Sequence, residues 1–221
     1  MITLVLEAST YEGSVALLRD GDLLGERTVA MRGREHEALM PAVAAVLAAC
    51  GLQVGNVERV ACGAGPGAFT SLRIAGAIAK GLALAVGADL VSVSSLALLV
   101  ASREPYEAGR YVAAVDAMRG EHYVQTFEVD RLGVLRSDGG LGLVPSASVN
   151  EFAREHGAQP LGPEQPSPMD VRPHARAAAR ITNLLELSAR ADLAAWEPGY
   201  GRLAEAQVKW EAAHGRPLNA G

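Results

Sequence analysis

Two short stretches of this chain carry residue types that can hold a metal-bound phosphate. In the first, Glu7 ends an apolar run and is followed by Ser9, Thr10, Gly13 and Ser14. In the second, Asp116 ends another apolar run, and Glu121 stands just beyond a turn containing Gly120. A carboxylate is a hard oxygen ligand for magnesium or its water, and the amides of a tight turn are donors to phosphate oxygens. The same residues suit an ordinary polar hairpin, and spacing leaves both readings open. A third stretch, Gly65-Pro66-Gly67 followed by Ala68-Phe69-Thr70-Ser71-Leu72-Arg73, sets a tight turn before a helix, with Thr70 or Ser71 suited to its N-cap. A helix start behind a glycine turn is an anion site in principle. This one is no nucleotide P-loop: the Lys-Ser/Thr ending is missing and Lys80 comes too late.

Other chemistries lack their residues. The histidines (His36, His122, His156, His174, His214) show no pair at the spacing that places two ligands on one helix face. Cys50 and Cys62 are too few for a disulfide framework or a four-ligand zinc site and are expected as buried free thiols in a reducing cytoplasm. No metal centre is therefore expected, and no Ser/His/Asp or Cys/His constellation emerges. Across 221 residues, 49% are apolar and 20% charged, with 20 basic against 25 acidic side chains and a net charge of −5, so no basic field awaits a nucleic-acid backbone. The opening residues lack a positive region and meet Glu7 early, so no signal peptide is expected. Lys80 and Asp89 interrupt the most apolar stretch, Ile74 to Ala101, so no membrane span is expected.

The elements that position these residues form a pattern that recurs. Ile2 to Leu6, Ser14 to Arg19 and Leu23 to Val29 read as a strand meander, with a hairpin signal at Asp20-Gly21. A helix follows: Val43, Val46, Leu47 and Cys50 recur at helical offsets from Leu39, Pro41 sits near its start, and Gly51 closes it. Arg59 to Cys62 reads as a strand, Thr70 to Val86 as a helix, Leu90 to Val93 as a buried strand, and a short helix starts at Ser94. After a Pro- and Gly-containing boundary at 103–109 the meander returns: Tyr111 to Val115 ending in Asp116, a turn at Arg119-Gly120-Glu121, Tyr123 to Val129, Asp130 to Gly133, then Val134-Leu135. Beyond it a proline-rich loop spans 160–173, and one helix is expected over Ala175 to Ala195. The helix after the glycine turn is rich in small residues (Ala75, Gly76, Ala77, Ala79, Gly81, Ala83), and each interior glycine costs about 1 kcal/mol of helix propensity. That composition suits close approach of another backbone, in its own sheet or in a partner.

A duplicated meander with an acidic residue closing its first strand resembles the α/β actin-like ATPase fold, in two halves, 1–103 and 108–221, the second shortened. Closer still is the TsaB family of bacterial tRNA threonylcarbamoyladenosine biosynthesis proteins. Gly65-Pro-Gly-Ala-Phe-Thr-Ser-Leu-Arg73 resembles its Gly-Pro-Gly-Ser-Phe-Thr-Gly-Leu-Arg signature, with Ala68 and Ser71 as departures. Glu7-Ala-Ser-Thr10 is similar to its Asp-Thr-Ala-Thr opening, Arg34-Glu35-His36 to its Arg-Glu-His motif, and Ser94-Ser95-Leu96 follows the fifth strand as in the family. Asp116 to Glu121 with Tyr123 is similar to its second-half motif, and Glu197-Pro198, Tyr200, Arg202, Glu205-Ala206 and Lys209 to its closing segment.

The resemblance implies a non-catalytic subunit that pairs with the catalytic subunit TsaD, joins the ATPase TsaE, and meets tRNA only through that cytoplasmic assembly. It implies a homodimer when alone, no catalytic residue, no cofactor of its own and no membrane. The family's two-helix interface maps onto Arg34, His36, Leu39, Met40, Val43, Leu47, Phe69, Leu72, Arg73, Ala77 and Lys80. Glu7, Ser9, Thr10, Asp116 and Glu121 map onto a vestigial nucleotide site, weakened by Glu7 in place of the usual Asp. His36 alternatively serves as a local hydrogen-bonder, Arg73 as a carboxylate's partner, and Asp116 and Glu121 as turn stabilisers. Trp196 and Trp210 are expected to pack the closing segment down. A stand-alone actin-like ATPase or kinase, or a peptidase, are the alternatives.

Overall fold

The computed structural model describes residues 1–32, 37–163, 169–201 and 213–214. Strands β1 (Ile2–Glu7), β2 (Glu12–Arg19) and β3 (Asp22–Ala30) form the antiparallel meander, and β4 (Arg59–Gly63) and β5 (Asp89–Val93) add in parallel on the other side of β1, giving the order β3-β2-β1-β4-β5. Each parallel step needs a crossover, supplied by α1 (Leu39–Ala49) and α2 (Phe69–Val86). The alternation of side chains along β1 decides what meets what. Ile2, Leu4 and Leu6 face the core under α1 and α2, while Val5 faces the opposite core, toward α3 (Ser95–Ala101). Glu7 has the parity of Val5 and is therefore delivered to the α3 side.

The second sheet repeats the meander with β6 (Gly109–Asp116), β7 (Glu121–Val129) and β8 (Leu135–Ser137), in the order β10-β6-β7-β8 with β9 (Gly142–Pro145) also on β7. β10 (Gln159–Leu161) runs parallel to β6 after α4 (Val149–Glu155), so this half has a single crossover and is the shorter repeat. The two sheets face one shared core. Leu96, Leu98, Leu99 and Val100 of α3 fill it together with Tyr111, Val115, Tyr123 and Phe127 of the second sheet. The fold is thus a duplicated, actin-like α/β arrangement with a truncated second half.

Three local expectations change. α2 begins at Phe69, with Ala68 in the cap position and no side-chain cap, so neither Thr70 nor Ser71 caps it. The continuous helix over Ala175 to Ala195 is instead a 3-10 segment, Ala175–Arg180, and a short α5 (Thr182–Leu187), broken at the buried Ile181. The reason is competition from tertiary partners. The Arg180 guanidinium is drawn to the carbonyls of Ala101 and Arg103, and the Ala191 amide pairs with the Leu90 carbonyl on the open edge of β5. The 160–173 stretch contains β10, and β9 and α4 precede it, none of which the apolar pattern suggested. Pro41 is the third residue of α1, where its missing N–H is one of the helix's unpaired four.

Truncating Leu98, fully buried between the sheets, is expected to lower the unfolding free energy by about 3 kcal/mol. Urea titration of Leu98→Ala followed by circular dichroism checks this, and a change within the error of the wild type would show that α3 is not the common core.

Candidate functional site

The glycine–proline turn between β4 and α2 is where the chain is most tightly held. Beneath it, the Glu7 carboxylate is completely buried. Its Oε1 accepts from the Ser9 amide at 2.6 Å and its Oε2 from the Ser95 hydroxyl at 2.8 Å. The Ser95 oxygen accepts from the Gly65 amide at 3.0 Å, and the Ser95 amide donates to the Gly65 carbonyl at 3.1 Å. Gly63 has no side chain because one would collide with Glu7 Oε2, and Gly65 stands at φ 86°, a conformation that glycine adopts without strain. Beside the turn, the Ala68 amide donates to the Ser9 carbonyl at 2.7 Å. Burial pushes the Glu7 carboxyl above its usual range, and hydrogen bonds from Ser9 and Ser95 pull it part of the way back. Burial likewise pushes the neighbouring Cys62 thiol up, with the Glu7 charge adding to the effect, so Cys62 is an inert core residue.

A nucleotide and its magnesium do not fit this set. Glu7 spends both oxygens on the chain's own donors. Thr10 Oγ1 is occupied with the Glu12 backbone, and Asp116 Oδ1 accepts from the Met118 amide at 2.7 Å in its own turn. Ser9 is buried, while Asp116 is exposed and Glu121 half-buried. The two turns do approach each other: the Tyr11 hydroxyl reaches Met118 Sδ at 3.9 Å, and the Arg32 guanidinium stacks on the Tyr11 ring at 3.3 Å. Asp116 thus stabilises its turn, and the five residues form no shared phosphate cradle.

A strap over residues 196–201 covers the glycine turn from above. The Gly199 amide donates to the Ala64 carbonyl at 2.7 Å, the buried Pro198 lies on Gly76 of α2, and Lys80 Nζ donates to the Trp196 carbonyl at 3.0 Å. Trp196 Nε1 donates to Ser92 Oγ, and the Tyr123 hydroxyl reaches across from the second sheet to the Tyr200 carbonyl at 3.1 Å. Trp196 therefore does pack the closing segment down. Phe69 and Tyr200 have ring centroids 4.6 Å apart, and Arg73 lies over the Phe69 ring at 4.6 Å, stacked on aromatics. The sequence placed Glu197-Pro198 and Tyr200 in a closing segment, and the structure shows that its first residues join the two halves.

The expected interface residues separate into two groups. Leu39, Val43, Leu47 and Leu72 point into the chain's own core and are not available to a partner, which corrects the expectation for these four. The periodic stripe that made them visible marks the face toward the sheet. Met40, Arg73 and Ala77 are exposed, Phe69 is half-buried, and Lys80 is occupied with the strap. Other exposed positions are Ala44 and Ala48 of α1, which apolar periodicity missed, and Gly81 and Leu84 of α2, the last 75% exposed. Arg34, His36, Arg202, Glu205, Lys209 and Trp210 lie outside the described residues.

A family model for tRNA N6-adenosine threonylcarbamoyltransferase, TsaD, matches residues 30–138. The chain is 36% identical over 121 residues to the tRNA threonylcarbamoyladenosine biosynthesis protein TsaB of Haemophilus influenzae, covering 54% of this chain and 51% of that one. It is 33% identical over 136 residues to the protein of the same name in Escherichia coli, covering 61% and 58%. These matches span little more than half the length of the curated relatives. A crystal structure from Pseudomonas aeruginosa, described as similar to peptidase YeaZ, superposes with a TM-score of 0.73 at 27% identity, covering 91% of this chain and 99% of that one.

Folding raises the Glu7 carboxyl pKa above its unfolded value, so the stability it contributes is fully present below the ordinary carboxylate range and is lost as pH rises through the raised value. In Glu7→Gln the amide oxygen still accepts from Ser9, and its NH2 donates to Ser95 Oγ. The stability of the wild type minus that of Glu7→Gln is expected to fall as pH rises above the ordinary carboxylate range of about 4. Urea midpoints measured from that pH upward check it, and a difference independent of pH would show that the carboxyl titrates normally.

Proposed function

We propose that the chain is a member of the TsaB family of tRNA threonylcarbamoyladenosine biosynthesis proteins, to which it is similar over little more than half of their length, and that it serves that modification as a non-catalytic subunit docking on a catalytic subunit of the TsaD type. In this reading the ATPase TsaE joins the pair, the assembly transfers a threonylcarbamoyl group to the adenosine beside the tRNA anticodon, and the chain meets tRNA only within it, in the cytoplasm. A net charge of −5 is in keeping with that division of labour. So is a turn site whose carboxylates are spent on the chain's own amides.

The observation that carries the reading is the state of α2. Its 18 residues have a mean hydropathy of 1.4, high enough to cross a bilayer by composition, yet only 39% of the helix is buried. Beyond the exposed Thr70 and Arg73 of its first turns, the helix is apolar outward as well as inward, and such a face needs cover. One face, with Leu72, Ala75, Ala79 and Leu82, lies on the first sheet, and the outward face, with Ala77, Gly81 and Leu84, has no such cover among the described residues. Small side chains there let another helix backbone come close. A bilayer is the weaker occupant, because inserting α2 would strip the core of the first sheet. A second copy meeting the same face accounts for a homodimer when the catalytic subunit is absent.

Ala77→Trp puts an indole on the exposed face and is expected to weaken binding to purified TsaD more than about tenfold, with the melting temperature unchanged. Co-purification and calorimetric titration measure it, and an intact complex would overturn the assignment of this face. Steady ATP turnover by the isolated chain, lost in Glu7→Ala, would instead restore the reading as an enzyme.

A further inference from the structure

Glu7 is a fully buried acid with no role in the docking reading so far, and its hydrogen bonds lead toward α2. The carboxylate holds the Ser95 hydroxyl, the Ser95 oxygen holds the Gly65 amide, and Gly65 lies four residues before the first residue of α2. α2 has no side-chain cap of its own, so the backbone tethers of this turn hold its first residues where they leave the first sheet. The Ala68 amide on the Ser9 carbonyl is the second tether, and Ser9 is itself held by Glu7 through its amide. Both tethers of the helix start therefore converge on one carboxylate. An aspartate, one carbon–carbon bond shorter, would not keep both oxygens on Ser9 and Ser95 from the same place on β1.

We infer that Glu7 is a positioning residue for α2: acting through Ser95 Oγ and the Ser9 amide, it fixes the glycine–proline turn and with it the angle at which the outward face of α2 is presented to the partner. This rests on the docking reading above. A face built of Ala and Gly makes contact only at close approach, so a small rotation of the helix opens a gap in which dispersion contacts are lost. A role confined to stability would leave affinity untouched once the chain is folded.

The experiment measures two quantities on Glu7→Ala, Ser95→Ala, the double variant, Glu7→Gln and Leu161→Ala, a fully buried position of the second sheet. The first is amide hydrogen exchange at Gly65 and in the first turn of α2 in the isolated chain. The second is affinity for purified TsaD. Glu7→Ala and Ser95→Ala are each expected to speed exchange at Gly65 and to weaken binding by up to about tenfold, the size expected for the loss of one hydrogen bond. The double variant is expected to lose no more than either single one, and Glu7→Gln to retain the wild-type affinity. Leu161→Ala is expected to lower the melting temperature with affinity unmoved. Losses that add, an equal loss of affinity in Leu161→Ala, or unchanged exchange at Gly65 would each overturn the inference. If Glu7→Ala does not fold, Ser95→Ala carries the comparison. A wild-type chain that binds no TsaD overturns the docking reading instead, and exchange at Gly65 then decides the positioning of α2 alone.

Discussion

The approach of backbone to backbone at the glycine–proline turn constrains the rest of the molecule. Three segments close on residues 63–67 from different directions: the end of β1 with Glu7 and Ser9, the start of α3 with Ser95, and the strap at Gly199. A side chain on Gly63 would strike the Glu7 carboxylate, one on Gly65 the Gly199 carbonyl, and one on Gly67 the Ser9 carbonyl. Buried backbone amides here need protein acceptors: the Gly65 amide finds the Ser95 hydroxyl and the Ser9 amide the Glu7 carboxylate. A buried carboxylate is costly unless its oxygens are hydrogen-bonded, and this one is bonded at both.

That closed turn also explains why an actin-like architecture need not bind a nucleotide here. In such a fold the acidic end of the first strand and the turns after it are the natural phosphate cradle. In this chain the parity of β1 and the reach of a glutamate send the carboxylate sideways into α3. The strap then lies over the turn and reaches Tyr123 of the second sheet, so the two halves are tied there. Residues that look like machinery in one dimension are fastenings in three.

The same fastening bears on the proposed role. α2 starts from the turn and carries its largely apolar outward face away from it, so the region proposed for docking is continuous with the hydrogen-bonded turn. A face of small residues offers little area per side chain and relies on shape, which a well-held helix preserves in the free protein. The Phe69, Arg73 and Tyr200 stack lies where helix and strap meet and extends that rigid surface beyond the helix.

Much of this was legible from sequence because it is local. The alternation in β1 and β2, the Asp20-Gly21 hairpin and the repeat of strand, acidic residue and turn in the second half follow from side-chain period and turn chemistry, and they appear in the sheets as read. Periodicity also found α1, but it reports only which residues are apolar together. It therefore marked Leu39, Val43 and Leu47, which the chain keeps for its own core, and passed over Ala44 and Ala48, whose exposure has no periodic signature. The break at Ile181 and the turn of residues 190–191 onto β5 were invisible, since an open sheet edge made elsewhere in the chain outbids local helix propensity. Sequence alone determined the elements of the first half, the repeat of its meander and the family resemblance, because these depend on neighbours within a few residues. Only the tertiary structure decided that Glu7 is a fastening, that Trp196 to Gly201 is a strap, and which side of α2 is left uncovered, because each depends on contacts between segments far apart in the chain.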